Sequence, residues 1–513
     1  MDGIAAAGDG AAQPLDPWDE HNRRLVAEVH PPEWVNPSPR GSYHLVVVGA
    51  GTGGLVTAAI AAGLGARVAL VERSLMGGDC LNVGCVPSKA MLRAARAWAD
   101  ARDAQGRFGG PAAEGEGDFG SAMEGMRRVR AEIAHVDGAE RFRGLGVDVF
   151  FGEARFTATD AVDVGGEQLH FRRAVIATGS RPTVPPITGL QESGYLTNET
   201  VFSLTRLPER LVVLGGGPIG CELAQCFARF GSRVTLLERD DRLLAHDDAD
   251  AARIVEEALR ADGVEVWLGA EVEGAGRSGE ETTVRFRRGG AAGSVACDEL
   301  LAAVGRAPNV EDLGLEAADV RFGKGGVEVD ERLRTSNASI FAVGDVCTRY
   351  RFTHMADAHA RLVVRNALFY GRGRVDRLVV PWCTYTSPEL AHVGISADTV
   401  RERGEKIQTL TLPFAEVDRA RLEGDGDGFL RIHLERGSDT ILGATLVGEH
   451  AGEIISQITQ AMVAGVGLEK LGEVIFPYPT RADIVRRAAD RYRRGKLTST
   501  VEGVLAAYFR LVR

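Results

Sequence analysis

Two stretches of this 513-residue chain repeat one pattern, and that repeat constrains the fold more than any other feature. The first is a short apolar run at residues 44–48, then Gly49-Ala50-Gly51-Thr52-Gly53-Gly54, a helix-like stretch, and a second run at 67–71 closed by Glu72. The second runs from residues 211–214 through Gly215-Gly216-Gly217-Pro218-Ile219-Gly220 and another helix-like stretch to residues 233–237 and Glu238. A lone glycine-rich turn is weak evidence. Here each turn follows a strand, opens a helix and precedes a second strand ending in an acid. The pattern predicts a duplicated βαβ unit. In each copy the first glycine makes the tight turn, the second admits backbone N–H groups to a pyrophosphate, and the third lets helix and strand pack closely. The helix start adds partial positive charge beneath the phosphates. Glu72 and Glu238 are placed to accept hydrogen bonds from ribose hydroxyls. Two dinucleotides on one chain imply electron transfer from one to the other.

Composition narrows the setting. With 44% hydrophobic and 26% charged residues the chain is globular. A net charge of −11 excludes a general nucleic-acid face. Residues 45–66 carry no charge and are long enough to cross a bilayer, which takes ~20 residues. The glycines at 49, 51, 53 and 54 make a strand, a turn and a helix the better reading, so no membrane insertion is expected. The N-terminus lacks a basic segment followed by an apolar core and does not read as a signal peptide. Seven cysteines are too sparse for a secreted disulfide scaffold and point to a reducing, cytoplasmic setting. Residues 1–40 read as a proline-punctuated extension, with a helical pattern over 18–29 that docks on the body or serves as a partner-binding arm. Residues 104–120 are glycine-rich and read as a surface loop.

Directly after the first repeat comes Gly77-Gly78-Asp79-Cys80-Leu81-Asn82-Val83-Gly84-Cys85-Val86-Pro87-Ser88-Lys89. On a regular helix two cysteines five apart are separated by ~7.5 Å of rise, too far for a disulfide. Asn82 and Gly84 weaken the helix between them, so closure remains open. Lys89 can lower the pKa of a nearby thiol, and the thiolate is the reactive form. Spacing alone leaves two readings, a redox pair or two small buried residues. Cys221 and Cys226 share the spacing but lie in a regular helical pattern and read as core.

The Cys-x4-Cys segment, the two fingerprints and Ala342-Val343-Gly344-Asp345 together resemble the FAD-dependent pyridine nucleotide–disulfide oxidoreductases, over residues 41 to 490. That resemblance implies an α/β fold with two Rossmann-like dinucleotide-binding domains and a C-terminal α+β dimerisation domain. It implies an FAD-binding domain in two parts, 41–185 and 306–376, a nicotinamide domain at 186–305, and an interface domain at 377–513. FAD would be bound by Gly49, Gly51, Gly54, Glu72, Gly344 and Asp345. Ala177, Thr178 and Gly179 match the segment where the chain leaves the flavin domain, and Gly305 lies in the segment that returns to it. Gly215, Gly217, Gly220 and Glu238 would bind NADH or NADPH. Glu238 favours NADH by repelling a 2′-phosphate, while Arg233 and Arg239 keep NADPH open. Lys89 and Glu222 match a pair placed near the flavin, with Cys85 the thiolate against it and Cys80 the exchange thiol. The family is homodimeric, and each site would borrow residues from the partner's C-terminal region.

Two departures bear on the acceptor. The family's disulfide reductases carry His-Pro-Thr-x-x-Glu near the C-terminus, with the histidine as acid/base. This chain reads Tyr478-Pro479-Thr480-Arg481-Ala482-Asp483, with no histidine after His450. A phenol of pKa ≈ 10 is a poor base at pH 7. The mercuric reductase branch has a tyrosine there and a second one matching Tyr195, and both would line the approach to Cys80 and Cys85. That branch also ends in a vicinal cysteine pair, whereas here no cysteine follows Cys383. The expected reaction passes reducing equivalents from NAD(P)H through FAD to the Cys80–Cys85 disulfide. The acceptor is then a metal ion or a small disulfide. The alternative is a flavoprotein with a mainly binding role. The tail after Asp483 is basic and amphipathic and reads as a dimer-edge helix or a membrane-surface helix.

Overall fold

The computed structural model describes residues 15–113 and 117–512. The first repeat builds a five-stranded parallel sheet in the order Ile340–Ala342, Ala174–Ile176, Leu45–Val48, Val68–Glu72, Val147–Phe151. All four residues of Leu45–Val48 are buried, because both faces of the sheet are covered. That is why the strand reads as a continuous apolar run rather than an alternating one. The chain leaves this sheet after Ile176 and returns to it at Ile340.

Between those points lies the second repeat. Its four-stranded parallel sheet has the order Glu265–Trp267, Arg233–Leu237, Arg210–Leu214, Glu299–Ala302. An antiparallel three-stranded sheet, Ala270–Ser278, Glu281–Arg288 and Ala291–Cys297, stands beside it. The two passages of chain between the domains are fastened to each other. Ser180–Pro182 pairs antiparallel with Arg306–Pro308. Thr178 Oγ1 donates to the Asn309 carbonyl at 2.7 Å, and Asn309 Nδ2 donates back to the Thr178 carbonyl at 2.9 Å.

The third unit is a five-stranded antiparallel sheet in the order Pro381–Thr384, Glu389–Gly394, Ile441–Gly448, Phe429–Glu435, Ile407–Pro413. The helices Ala451–Ala464 and Asp483–Gly495 share its core. The architecture is thus α/β with two dinucleotide-type sheets and an α+β third domain. The last helix, Ser499–Leu511, has no buried residue. No helix among the described residues is long and apolar enough to cross a membrane. The uncharged stretch flagged above is a strand, a turn and the helix Thr52–Gly63.

Before the first sheet, the helix Glu20–Val29 is capped by Asp19, whose carboxylate accepts from the Asn22 amide at 2.9 Å. Leu25 and Val29 are fully buried in the core that also holds Met76 and Leu81. The earlier part of the expected 1–40 extension, residues 1–14, lies outside the described residues.

The glycine-rich loop expected at 104–120 needs correction. The helix Cys85–Phe108 runs through its first part, and the helix Phe119–Ile133 starts within its last. Met91, Ala95 and Trp98 lie one turn apart and pack on the cluster containing Phe119, Phe227 and Phe230. The Trp98 and Phe230 rings meet edge to face at 4.9 Å. The end of the helix, with Gly106, is exposed and is tied down by Arg107, whose Nη2 donates to the Gly424 carbonyl at 2.6 Å and to Asp425 Oδ1 at 2.9 Å, while residues 109–113 and 117–118 are irregular as expected.

Candidate active site

The two glycine loops have nearly superimposable geometry. Gly49 and Gly215 adopt φ of 102° and 101°. A Cβ on Gly54 would sit 1.8 Å from the Gly49 carbonyl oxygen, and one on Gly220 would sit 1.9 Å from that of Gly215. Only glycine allows the helix to approach so closely. Gly51 and Gly217 are the N-caps of the helices Thr52–Gly63 and Pro218–Phe230, and no side chain caps either helix. Nothing stands within 4 Å of a Cβ built on Gly217. Each helix therefore offers its first amides to an outside acceptor. Glu72 accepts from the amides of Ala50 and Ser74 at 2.7 and 2.9 Å. Glu238 accepts from those of Gly216 and Asp240 at 2.5 and 2.7 Å. The acid at each strand end thereby holds its own loop in place.

The cysteine segment starts against the first loop, where Gly51 and Gly77 form an isolated β-bridge. A short helix, Gly78–Asn82, carries Cys80 and stops, and a new helix starts at Cys85. Asn82 ends the first helix by turning its side-chain amide back to the carbonyls of Met76 and Gly78, at 3.0 and 2.9 Å. Gly84 makes the close turn possible, since a Cβ there would lie 2.7 Å from the Asp79 carbonyl oxygen. This break folds Cys80 back onto Cys85, so the Cys80 thiol hydrogen-bonds to Cys85.

The surroundings favour a thiolate on Cys85. The hydrogen bond from Cys80 is the largest influence, and it lowers the Cys85 pKa to about 6 against the opposing effect of burial. Thr353 Oγ1, at 3.2 Å from the sulfur, and the Lys89 charge lower it further. The same coupling raises Cys80 far above the ordinary thiol range. Lys89 Nζ donates to Glu222 Oε2 at 2.8 Å, which joins the cysteine-bearing helix to the helix of the second glycine loop. Burial pulls Lys89 down, but Glu222 outweighs it and keeps the ammonium charged. Tyr385 completes this corner. Its amide donates to Glu222 Oε1 at 2.8 Å, and Lys89 Nζ stands 4.6 Å from its ring centre.

Other expected residues are dispersed. Asp345 accepts from Ser180 Oγ at 2.7 Å, beside Arg306, which also grips Asp79. Gly344 starts the short turn that carries Asp345. Ala177, Thr178, Gly179 and Gly305 lie where the two interdomain passages meet. Tyr195 packs against the apolar cluster of the second domain with Ile187 and Trp267. Tyr478 is 76% exposed, and among the described residues it makes no hydrogen bond or ring contact. Asp483 is held by Arg486 Nε and Arg487 Nε, both at 2.7 Å, which keep its carboxyl below the usual range against burial. A single chain therefore assembles Cys80, Cys85, Lys89 and Glu222 but does not bring Tyr478 or Asp483 to them. Thr353, Tyr385 and Asp79 were missed from sequence. Asp79 had a visible signal, a carboxylate next to a reactive cysteine.

The open helix starts, the glycine-only approaches and the loop-facing acids fit an FAD on the first loop and a nicotinamide dinucleotide on the second. Residues 43–360 match the family described as pyridine nucleotide-disulphide oxidoreductase, and residues 380–489 match its dimerisation domain. The chain is 34% identical to a mercuric reductase of Lysinibacillus sphaericus over 87% of this chain and 82% of that one. It is 31% identical to a dihydrolipoyl dehydrogenase of Bacillus subtilis, over 87% of this chain and 97% of that one. The Cu(II) complex of the HOCl-induced flavoprotein disulfide reductase RclA from Escherichia coli superposes with a TM-score of 0.78 at 30% identity, covering 88% of this chain and 100% of that one. The dimerisation domain makes the working unit a homodimer. The chain belongs to the pyridine nucleotide-disulfide oxidoreductases, as an FAD-dependent enzyme that uses NAD(P)H.

Proposed function

We propose that the acceptor of this enzyme is a thiophilic metal ion, bound by the Cys80–Cys85 dithiol. The observation that carries this reading is an exposed Cys85 thiolate paired with Cys80, in a chain with no histidine after His450 to serve as a thiol acid/base. Soft thiolates bind such ions without a general base, because the metal displaces the protons itself. Support comes from one relative being a mercuric reductase and from one similar solved structure being the Cu(II) complex of a flavoprotein disulfide reductase. When bound, FAD supplies two-electron transfer between NAD(P)H and the sulfur pair. One hydride equivalent delivered to the pair would break the S–S bond, with its proton ending on Cys80 and the second sulfur, Cys85, left as the thiolate. Cys85 holds the thiolate, Cys80 receives the incoming acceptor, and Lys89, anchored by Glu222, stabilises the negative sulfur. Tyr195 lines the approach, together with the exposed Tyr478 contributed across the dimer, whereas Asp483 stays in its own chain as the partner of Arg486 and Arg487. The corresponding domain limits are 41–185 with 306–376 for FAD, 186–305 for NAD(P)H and 377–513 for the interface. The seven free cysteines suit a reducing cytoplasm.

The test compares NADH oxidation with Hg(II), Cu(II), lipoamide and glutathione disulfide as acceptors. We expect a metal ion to support turnover and the disulfides to support little. Faster turnover with either disulfide would overturn the reading.

The donor should be NADH. Arg233 and Arg239, which could hold a 2′-phosphate, are exposed and stand beside the carboxylates of Glu209 and Asp240, which weaken their pull on it. The Glu238 carboxylate remains on the loop to repel it. A preference for NADH of at least about tenfold in kcat/KM is expected, or ~1.4 kcal/mol. Equal use of NADPH would contradict it.

Lys89→Met should raise the Cys85 pKa and leave Glu222, which is 7% exposed, with the Tyr385 amide but no opposite charge. The pair is only part-buried, with the Lys89 side chain 37% exposed, so the loss should fall below the about 3–5 kcal/mol of a fully buried pair. The double variant Lys89→Met/Glu222→Gln should therefore melt higher than Lys89→Met alone, and its thiol pKa should fall back part of the way, because the Glu222 charge itself raises Cys85. Thermal melts and pH-dependent alkylation check the two parts.

A further inference from the structure

The helix Glu20–Val29 precedes residue 43, where the family match begins, yet it is bonded to the segment that carries the cysteines. Arg130 makes the link and is 2% exposed. Its Nη2 donates to Asn22 Oδ1 at 2.6 Å, and its Nη1 donates to the Asn82 carbonyl at 2.6 Å. Asn82 is the residue that ends the Cys80 helix. Asn22 is fully buried and fixed on its other side, with Nδ2 donating to the Pro17 carbonyl at 2.8 Å. Asp19 caps the N-terminal helix and accepts from Arg127 Nε at 2.6 Å. The Met76 amide donates to the Val29 carbonyl at 3.1 Å, just before the cysteine segment.

Among the described residues Arg130 bonds only neutral acceptors, the Asn22 side chain and the Asn82 carbonyl. Burial and the neighbouring Arg127 lower its pKa to about 10. A buried cation placed so unfavourably, with both arms on fixed carbonyl oxygens, is suited to holding geometry rather than adding stability.

We propose that Arg130 is a positioning residue, through which the N-terminal helix clamps the turn between Cys80 and Cys85. The proposal rests on these two cysteines being the reactive pair. The groups facing that pair are Thr353, Lys89 and Glu222 around Cys85, Tyr385 beside them, and Asp137 near Cys80. Asn22 is neutral and bonds none of these groups, so its replacement changes no charge at the thiols and acts on them through the Arg130–Asn82 link, while the Val29–Met76 bond and the Leu25, Val29 and Leu81 packing stay in place. Releasing that link loosens the Val83–Gly84 turn and weakens the Cys80 hydrogen bond that sustains the Cys85 thiolate.

The experiment measures the pH profile of iodoacetamide alkylation at Cys85 in reduced holoenzyme, resolved by peptide mass spectrometry. The full chain is compared with Asn22→Leu, Asn22→Asp and Arg130→Lys. In the unaltered chain the inflection should lie near 6. Asn22→Leu should slow alkylation at pH 5 by about tenfold, the effect of one pKa unit. Asn22→Asp keeps an acceptor for Arg130 and should restore the rate. Arg130→Lys keeps the charge but spans only one of the two acceptors, and should fall between. It serves as the reading if Asn22→Leu does not fold. Profiles of Asn22→Leu and Arg130→Lys that match the unaltered chain would overturn the clamp. An unaltered chain with no acidic inflection at Cys85 would instead overturn the reading of the pair itself.

Discussion

Cys85→Ser is expected to reduce NADH-driven acceptor reduction by at least about 10³-fold, because a serine hydroxyl offers no thiolate and cannot close a disulfide. No other cysteine can stand in. Burial raises Cys221, Cys226, Cys347 and Cys383 above the ordinary thiol range. Cys85 alone is both exposed and lowered. The sign of its pH dependence follows from that lowering. Thiolate chemistry at Cys85 should persist down to about pH 6 and fall below it as the sulfur takes up a proton. Cys80→Ser should behave differently. Its hydroxyl can still donate to Cys85, so the acidic thiolate should survive while two-electron storage is lost. Stopped-flow reduction by NADH, followed with and without Hg(II), separates the two variants. Turnover in Cys85→Ser close to that of the unaltered enzyme would remove the sulfur pair from the pathway.

The second large effect concerns the glycine loops. Gly220→Ala places a Cβ 1.9 Å from the Gly215 carbonyl, and Gly54→Ala places one 1.8 Å from the Gly49 carbonyl. Either helix start must move to relieve the clash. Overpacking of this kind costs about 1–3 kcal/mol, which is roughly tenfold to hundredfold in affinity. The two variants should fail in different ways. Gly54→Ala should lose flavin on dialysis and become pale. Gly220→Ala should stay yellow but need far more NADH to be reduced. Titration of the flavin absorbance with NADH distinguishes them. A Gly220→Ala enzyme with unchanged NADH affinity would mean that the second loop does not hold the nicotinamide dinucleotide.

The parts of this site legible in the sequence are the local ones. Glycine spacing, the acids Glu72 and Glu238, and the helix break at Asn82 and Gly84 all act within one or two turns of chain. The contacts that stayed hidden are long-range. Thr353 reaches Cys85 across 268 residues, and Arg130 reaches Asn22 across 108. Composition placed the loop too wide at 104–120, because the helix runs on to Phe108, where Arg107 bonds Gly424 and Asp425 more than 300 residues away. Asp483 illustrates a different limit. It stands where the family's His-Pro-Thr-x-x-Glu segment has its glutamate, but the arginines one turn later in its own helix take up both of its oxygens. Tyr478 itself projects outward, and only a second subunit could give it a neighbour at the sulfur pair.

Anaerobic reduction of the oxidised enzyme by one equivalent of NADH, with the newly formed thiols counted and mapped by peptide, tests the central claim most directly. The account predicts two new thiols per chain, at Cys80 and Cys85. Flavin that is reduced with no new thiol, or thiols appearing at other cysteines, would contradict it.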